Sequence, residues 1–333
     1  MPDPLAVRDP PTVHDEDMVS RSGHRLGVRR GWGVGIACAL VLLAGCVSGA
    51  TSEQTRMSAP ASTSPGTSTP TVQVAGRPVQ LYIPASRPSG ATAALVVVLH
   101  GYTGDAAGVV EFFGLRPLAD RRGFVIAAPQ GTTDSEGNNF WNASRSCCNF
   151  QGSGVDDSGF LSRVIATVIA TQGIDPARVY VLGHSNGAFM AHRLACDHAD
   201  QVAAIASLAG AMDTDAECDP TEPVSVLQVH GDADETILYN GGEINARPYT
   251  SAATTVARWR SADGCSSHVR PGERLDADAN VPGADLRPTT WTDCRGGTEV
   301  ALWTIAGGGH IPALTPAFTA ALVDWFEAHH RAG

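Results

Sequence analysis

Residues 178–194 read Arg178-Val179-Tyr180-Val181-Leu182-Gly183-His184-Ser185-Asn186-Gly187-Ala188-Phe189-Met190-Ala191-His192-Arg193-Leu194, and they decide the fold. Val179 to Leu182 is a short continuous apolar run, the signature of a strand buried on both faces. Ala188 to Leu194 has the pattern of a helix. Between them stands Gly183-His184-Ser185-Asn186-Gly187, a G-x-S-x-G pentapeptide. Its two glycines let the chain turn sharply with no Cβ to clash. A strand, a tight turn and a helix in this order push the Ser185 hydroxyl out at the top of a sheet, as a nucleophile elbow does. In a chain with 36 glycines the pentapeptide alone carries little weight, so the segments around it must decide.

Working outward, residues 72–83 alternate apolar and polar around Ala75-Gly76, which predicts an opening hairpin. Residues 94–99 and 124–128 are continuously apolar. Residues 202–208, 224–229 and 300–305 repeat that pattern. Asp156-Asp157 offers an N-cap for a helix over 160–170, and Thr315-Pro316 opens a last helix over 317–329. Strands alternating with helices predict an α/β domain: a mostly parallel central sheet with helices on both faces. No segment between strands is long and apolar enough to form a separate lid domain.

A serine nucleophile needs a base to take its proton and an acid to orient that base. In an elbow architecture these follow in the order Ser, Asp or Glu, His, each after a later strand. The strand at 224–229 runs into His230-Gly231-Asp232-Ala233-Asp234, and that at 300–305 runs into Gly307-Gly308-Gly309-His310. His310 is the candidate base, brought over the serine by an irregular glycine loop. Asp234 is the candidate acid because it reaches further into its loop; Asp232 is the alternative, expected to close the turn through backbone hydrogen bonds. The oxyanion of the reaction needs two backbone donors. The Asn186 amide follows the nucleophile, and the Tyr102 amide lies in His100-Gly101-Tyr102-Thr103-Gly104 after an early strand. His329 and His330 are expected on the solvated side of the terminal helix.

The N-terminal region reads differently. Arg21, Arg25, Arg29 and Arg30 precede a short apolar stretch, 34–43, ending in Leu43-Ala44-Gly45-Cys46. That pattern is a secretory signal with a lipobox, in which Cys46 is lipidated and becomes the new N-terminus. Translation is expected from Met1 or from Met18, since the residues before Met18 are acidic. The expected domains are a signal peptide over 1–45, a Ser/Thr/Pro/Ala-rich disordered tether over 46–70 and a catalytic domain over 71–333. The expected location is the outer face of the cytoplasmic membrane, held by the lipid, or the secreted fraction.

The formal charge is −11, and all basic residues are arginine. An acidic domain without basic runs excludes a nucleic-acid partner. Setting aside Cys38 and Cys46, six of the eight cysteines remain: Cys147, Cys148, Cys196, Cys218, Cys265 and Cys294. An even number in an exported chain predicts disulfides, with fifteen possible pairings. Cys265 with Cys294 and Cys196 with Cys218 are favoured. A bridge between adjacent Cys147 and Cys148 is strained, so a pairing that mixes these two with Cys196 and Cys218 stays open. No second C-x-x-C-like pair completes a metal site, and neither metal nor organic cofactor is expected.

Several further pieces stand together: Leu99-His100-Gly101, Ala128-Pro129-Gln130-Gly131, Trp141 with Cys147-Cys148, and Val155-Asp156-Asp157-Ser158-Gly159-Phe160-Leu161. The elbow, the His230–Asp234 run, Tyr239-Asn240-Gly241-Gly242, Cys265 with Cys294, and the glycines before His310 complete the set. On these, residues 79–330 resemble the esterases grouped with polyhydroxybutyrate depolymerases and feruloyl or acetylxylan esterases, of the α/β-hydrolase superfamily. With its lipobox the chain looks like a lipoprotein esterase of this group. The resemblance implies the triad Ser185, Asp234 and His310 and an ester substrate. One departure matters: the group often continues after the histidine with Thr-Trp-Pro, whereas this chain has Ile311-Pro312. Trp141 and Ile311 are candidate cleft residues, and packing with the cysteine-rich loop is the equal alternative for Trp141. Two alternatives carry the same residues: an acyltransferase on this fold, and a non-catalytic surface-binding lipoprotein.

Overall fold

The computed structural model describes residues 70–87, 90–215 and 217–331. The signal segment, Cys46 and the tether to residue 69 lie outside the described residues. The chain opens with β1 (Thr71–Val74) and β2 (Arg77–Tyr82), antiparallel across Ala75-Gly76. Both turn residues have positive φ, 49° and 78°, as a two-residue hairpin loop requires. β3 (Ala93–Leu99) is buried throughout. Helices α1 (Ala106–Phe112) and α2 (Arg116–Arg122) follow, then β4 (Val125–Pro129) and a small ribbon of β5 (Thr132–Thr133) and β6 (Asn139–Phe140). α3 (Asp157–Gln172) starts at Asp156, whose carboxylate accepts from the Gly159 amide at 2.8 Å, and stops at Gly173 in the left-handed region.

β7 (Ile174–His184), α4 (Asn186–Asp197), β8 (Ala204–Leu208) and β9 (Ser225–Gly231) come next. A hairpin of β10 (Gly242–Ile244) and β11 (Arg247–Tyr249) leads to α5 (Ala252–Ala262). The chain then adds β12 (Val269–Pro271), β13 (Leu286–Trp291), β14 (Val300–Ile305) and α6 (Pro316–Glu327). The main sheet has ten strands in the order β1-β2-β4-β3-β7-β8-β9-β14-β13-β12. β4, β3, β7, β8, β9 and β14 run parallel, and antiparallel strands extend the sheet at both sides.

Alternate residues of β3 divide the core. Val97 and Leu99 pack with Phe160 of α3, Phe189 of α4 and Trp259 of α5. Val96 and Val98 pack with Val109 of α1, Leu118 of α2 and Phe318 and Phe326 of α6. Helices therefore cover both faces, which is why the central strands are apolar runs rather than alternations. Parallel register then brings the strand ends together. Leu99 pairs with Gly183, His184 with Leu208, Leu208 with Val229, and Gly231 with Ile305. The loops after β3, β7, β9 and β14 all leave from one edge.

Two expectations need correction. The last helix ends at Glu327, and His329 is buried rather than solvated. Its Nδ1–H donates to Trp325 O at 2.7 Å, and its carbonyl accepts from the Tyr180 hydroxyl at 3.0 Å. The chain end folds back on the core there, and only His330 remains exposed. The mixed cysteine pairing is not adopted either. Cys196 on α4 joins Cys218, Cys265 joins Cys294, and Cys147 joins Cys148.

Candidate active site

Ser185 occupies the turn between β7 and α4 with φ 53° and ψ −120°, a conformation that a non-glycine residue adopts only when its surroundings enforce it. They do. The Ser185 amide donates to Leu208 O at 2.9 Å, and the Ser185 carbonyl accepts from Ala188 and Phe189 at 2.8 and 3.0 Å. A Cβ on Gly183 would strike the Gly187 carbonyl, and one on Gly187 would strike Leu99 O. Both glycines of the pentapeptide are thus required by close backbone approach. Ser185 is 8% exposed, with its hydroxyl facing the loops that end β3, β9 and β14.

The Ser185 Oγ–H lies 3.0 Å from His310 Nε2, and His310 Nδ1–H lies 2.9 Å from Asp234 Oδ2. The three residues come from three loops, 125 and 76 residues apart in sequence. Asp234 is buried, and its other oxygen accepts from the Thr236 and Ile237 amides at 2.8 Å each. Burial raises its pKa, but the hydrogen bonds from His230 and His310 outweigh that and hold the carboxyl well below the usual range. Asp232 has the other role weighed for it: exposed, it accepts from the Gly307 amide at 2.6 Å and so anchors the histidine loop. Gly231 lets that loop come close, since a Cβ there would strike Gly308 O.

Tyr102 lines the same cleft as Ser185, and Asn186 follows Ser185 at the start of α4. Neither amide has a hydrogen-bond partner among the described residues. Trp141 holds the Asn186 side chain directly and the loop of Tyr102 at His100. Its indole N–H donates to His100 O at 3.0 Å, and the Asn186 side chain pairs with its backbone N–H and C=O at 2.7 and 3.1 Å. Trp141 is 0% exposed and packs with Cys147 and Cys148, the second of the two places weighed for it, and it is not among the residues around the Ser185 cleft. The physical reason is that the indole supplies one donor and a large apolar body. Both are used in fastening the loop after β3 to the start of α4. Asp157, also 0% exposed, holds the same segment from the α3 side by accepting from Asn142 N at 2.8 Å and from Arg77 at 3.1 Å.

The cleft has a volume of about 470 Å³. Val109 and Phe112 of α1, Tyr102 and Ile311 supply its apolar walls, and Asp105 and Thr236 its polar ones. Ile311 stands at the rim, 69% exposed. Sequence reasoning missed His184, the variable residue before Ser185. Burial pushes its pKa down to about 4, so it is neutral near pH 7, and its Nε2–H donates to His310 O at 2.9 Å. Its neighbour position in the pentapeptide was visible; its contact with a loop 126 residues away was not.

A family profile for the alpha/beta hydrolase fold matches residues 94–254. Among curated proteins, "Putative esterase NocK" of Nocardia uniformis subsp. tsuyamanensis is 31% identical over 240 residues, 68% of this chain and 66% of that protein. Feruloyl esterase B of Piromyces equi is 28% identical over 236 residues, covering 67% and 41%. Poly(3-hydroxyalkanoate) depolymerase C of Paucimonas lemoignei is 26% identical over 252 residues, covering 71% and 58%. The match thus spans between about two fifths and two thirds of these relatives' own lengths. Among solved structures, an acetyl xylan esterase from Aspergillus awamori superposes with a TM-score of 0.54 at 19% identity, over 75% of this chain and 93% of that one. Esterase PE8 does so with 0.52 at 18%, over 77% and 99%. At these identities the superpositions establish the fold.

Proposed function

This chain belongs to the α/β-hydrolase fold family, and on that premise we propose that it is a serine carboxylic-ester hydrolase working through an acyl-enzyme. The observation that carries the reading is the line Ser185, His310, Asp234, with contacts of 3.0 and 2.9 Å. Ser185 Oγ attacks the ester carbonyl carbon while its proton passes to His310 Nε2. Asp234 holds the imidazole by its Nδ1–H and favours the imidazolium that forms. The Tyr102 and Asn186 amides accommodate the oxyanion. Collapse expels the alcohol, which takes the proton from His310. Water, deprotonated by the same imidazole, then hydrolyses the acyl-enzyme and restores Ser185.

The substrates proposed are short-chain, polyester or plant and cell-wall esters, in keeping with the activities for which the relatives are named. The open apolar cleft and the isoleucine after His310 favour small or chain-end acyl groups. We assign residues 1–45 to a signal peptide, Cys46 to lipidation, the segment to residue 70 to a tether, and 71–333 to the catalytic domain. The three disulfides suit an oxidising compartment outside the cytoplasm.

The test is an ester panel run on the wild type beside Ser185→Ala. It includes short and medium p-nitrophenyl esters, methyl ferulate, acetylated xylan and polyhydroxybutyrate. The alanine variant is expected to lose roughly a millionfold in kcat on whichever ester is turned over. Retention of more than a trace of wild-type turnover would overturn the mechanism.

A further inference from the structure

Behind Asp234, on the sheet face that α3, α4 and α5 cover, a row of polar side chains crosses the apolar core. Trp259 of α5, His192 of α4, and Gln228 and His230 of β9 are each at most 2% exposed. Gln228 and His230 are two residues apart on a strand, so they share the face that Val226 uses to meet those helices. Their hydrogen bonds form one line. Trp259 Nε1 lies 3.0 Å from His192 Nδ1, and His192 Nε2 lies 3.0 Å from Gln228 Oε1. Gln228 Nε2 lies 3.2 Å from His230 Nδ1, and His230 Nε2 lies 2.7 Å from Ile237 O and 3.4 Å from Asp234 Oδ2. The chemistry above uses none of these groups except Asp234.

The ends of the line leave no freedom in its direction. An indole N–H only donates, so His192 must accept at Nδ1 and carry its proton on Nε2. That proton points at Gln228 Oε1. Independently, the Gly210 carbonyl 2.8 Å from Gln228 Nε2 only accepts, which sets the amide the same way round. The amide N–H therefore faces His230 Nδ1, and the His230 proton must sit on Nε2. There it meets two acceptors, the Ile237 carbonyl and the Asp234 carboxylate. The opposite tautomer would set donor against donor at Gln228 and lone pair against oxygen at both Ile237 and Asp234. Burial keeps His192 neutral, with its pKa pushed down to about 4.

We propose that this buried line is a proton-ordering relay and that His230 is a positioning residue for the acid of the triad. It rests on the triad reading given above. His230 grips the 234–237 turn at the Ile237 carbonyl while Asp234 Oδ1 grips the Ile237 amide, so the carboxylate is held from both ends of one residue. With Oδ2 facing a second N–H, the carboxylate keeps the plane in which His310 Nδ1 meets it. A fully satisfied buried network of this kind is rigid, and a partly satisfied one is not.

The experiment uses the full chain. His230→Phe fills the space without a donor; His230→Gln restores an N–H near the place of Nε2; Gln228→Met breaks the relay one step earlier. On a short p-nitrophenyl ester, His230→Phe is expected to lose about tenfold or more in kcat with KM nearly unchanged. His230→Gln is expected to recover most of that loss, and Gln228→Met to fall between them. Ring ¹⁵N spectra of the wild type should show both His192 and His230 protonated on Nε2. A folded His230→Phe with wild-type kcat, a His230→Gln no better than it, or an Nδ1–H tautomer at either histidine would overturn the relay. If His230→Phe does not fold, Gln228→Met decides: an unchanged kcat there sinks the proposal. Absence of ester turnover in the wild type would instead sink the esterase reading and leave the spectra to decide the relay.

Discussion

Two aspartates two positions apart do different work because one points inward and the other outward. Asp234 is buried with its oxygens shared among His310, His230 and two amides, whereas exposed Asp232 ties down Gly307. Asp234→Asn keeps the shape but removes the charge that favours the imidazolium, and it offers an N–H where His310 needs an acceptor. Its kcat is expected to fall by about 10⁴, measured on the best ester of the panel. Asp232→Asn keeps an acceptor for the Gly307 amide, so its kcat should stay within about tenfold of wild type. Comparable losses in the two variants would mean the acid has been misassigned. The sequence placed both carboxylates after the right strand. The sequence favoured Asp234 by its reach into the loop, and the turn geometry supplies the contacts that separate the two.

Elements meet at buried polar joints, and one of these carries a pH dependence. Asp263 caps the end of α5 at 0% exposure. It accepts from the Val224 amide just before β9 at 3.4 Å, and its Oδ2 has no partner among the described residues. Burial pushes its pKa up to about 7 from the ordinary 3.8. Between those values the folded state binds the extra proton, so this contribution to stability is fully present below 3.8 and lost as pH rises through about 7. Asp263→Asn removes the loss. Thermal melts should show the variant gaining on wild type at pH 8 and gaining less at pH 5; an equal difference at both would refute this. The same scale explains what was illegible in sequence. β13 carries Arg287 and Pro288 inside the strand and lacks the continuous apolar run that marked β3 and β9, because it lies near the sheet margin and is only partly buried.

For the whole molecule, six parallel strands carry the proposed chemistry to one edge, and the proposed lipid at Cys46 would hold the chain at a membrane surface. Cys46→Ser in the producing cell is expected to abolish incorporation of labelled palmitate and to shift the protein from the membrane to the soluble fraction, with turnover per molecule unchanged. Unaltered membrane association of the serine variant would defeat the lipoprotein assignment. One acyl chain holds a protein only weakly, by about 0.8 kcal/mol for each buried CH₂, so the diacyl modification that a lipobox implies is the relevant anchor.

Local pattern was enough for the strand, turn and helix around Ser185, the apolar central strands, and the caps at Asp156 and Thr315. Each is written within a few residues of chain, where periodicity, glycine freedom and capping chemistry act. Tertiary structure decided the rest. It showed that Trp141 clamps the backbone instead of lining a cleft, that His329 is buried, and that Cys147 pairs with its neighbour. It also put a tryptophan, two histidines and a glutamine in line behind Asp234. These depend on which distant groups share a dry interior, and a buried donor or acceptor takes whatever partner the packing brings within about 3 Å. Sequence spacing carries no record of that distance.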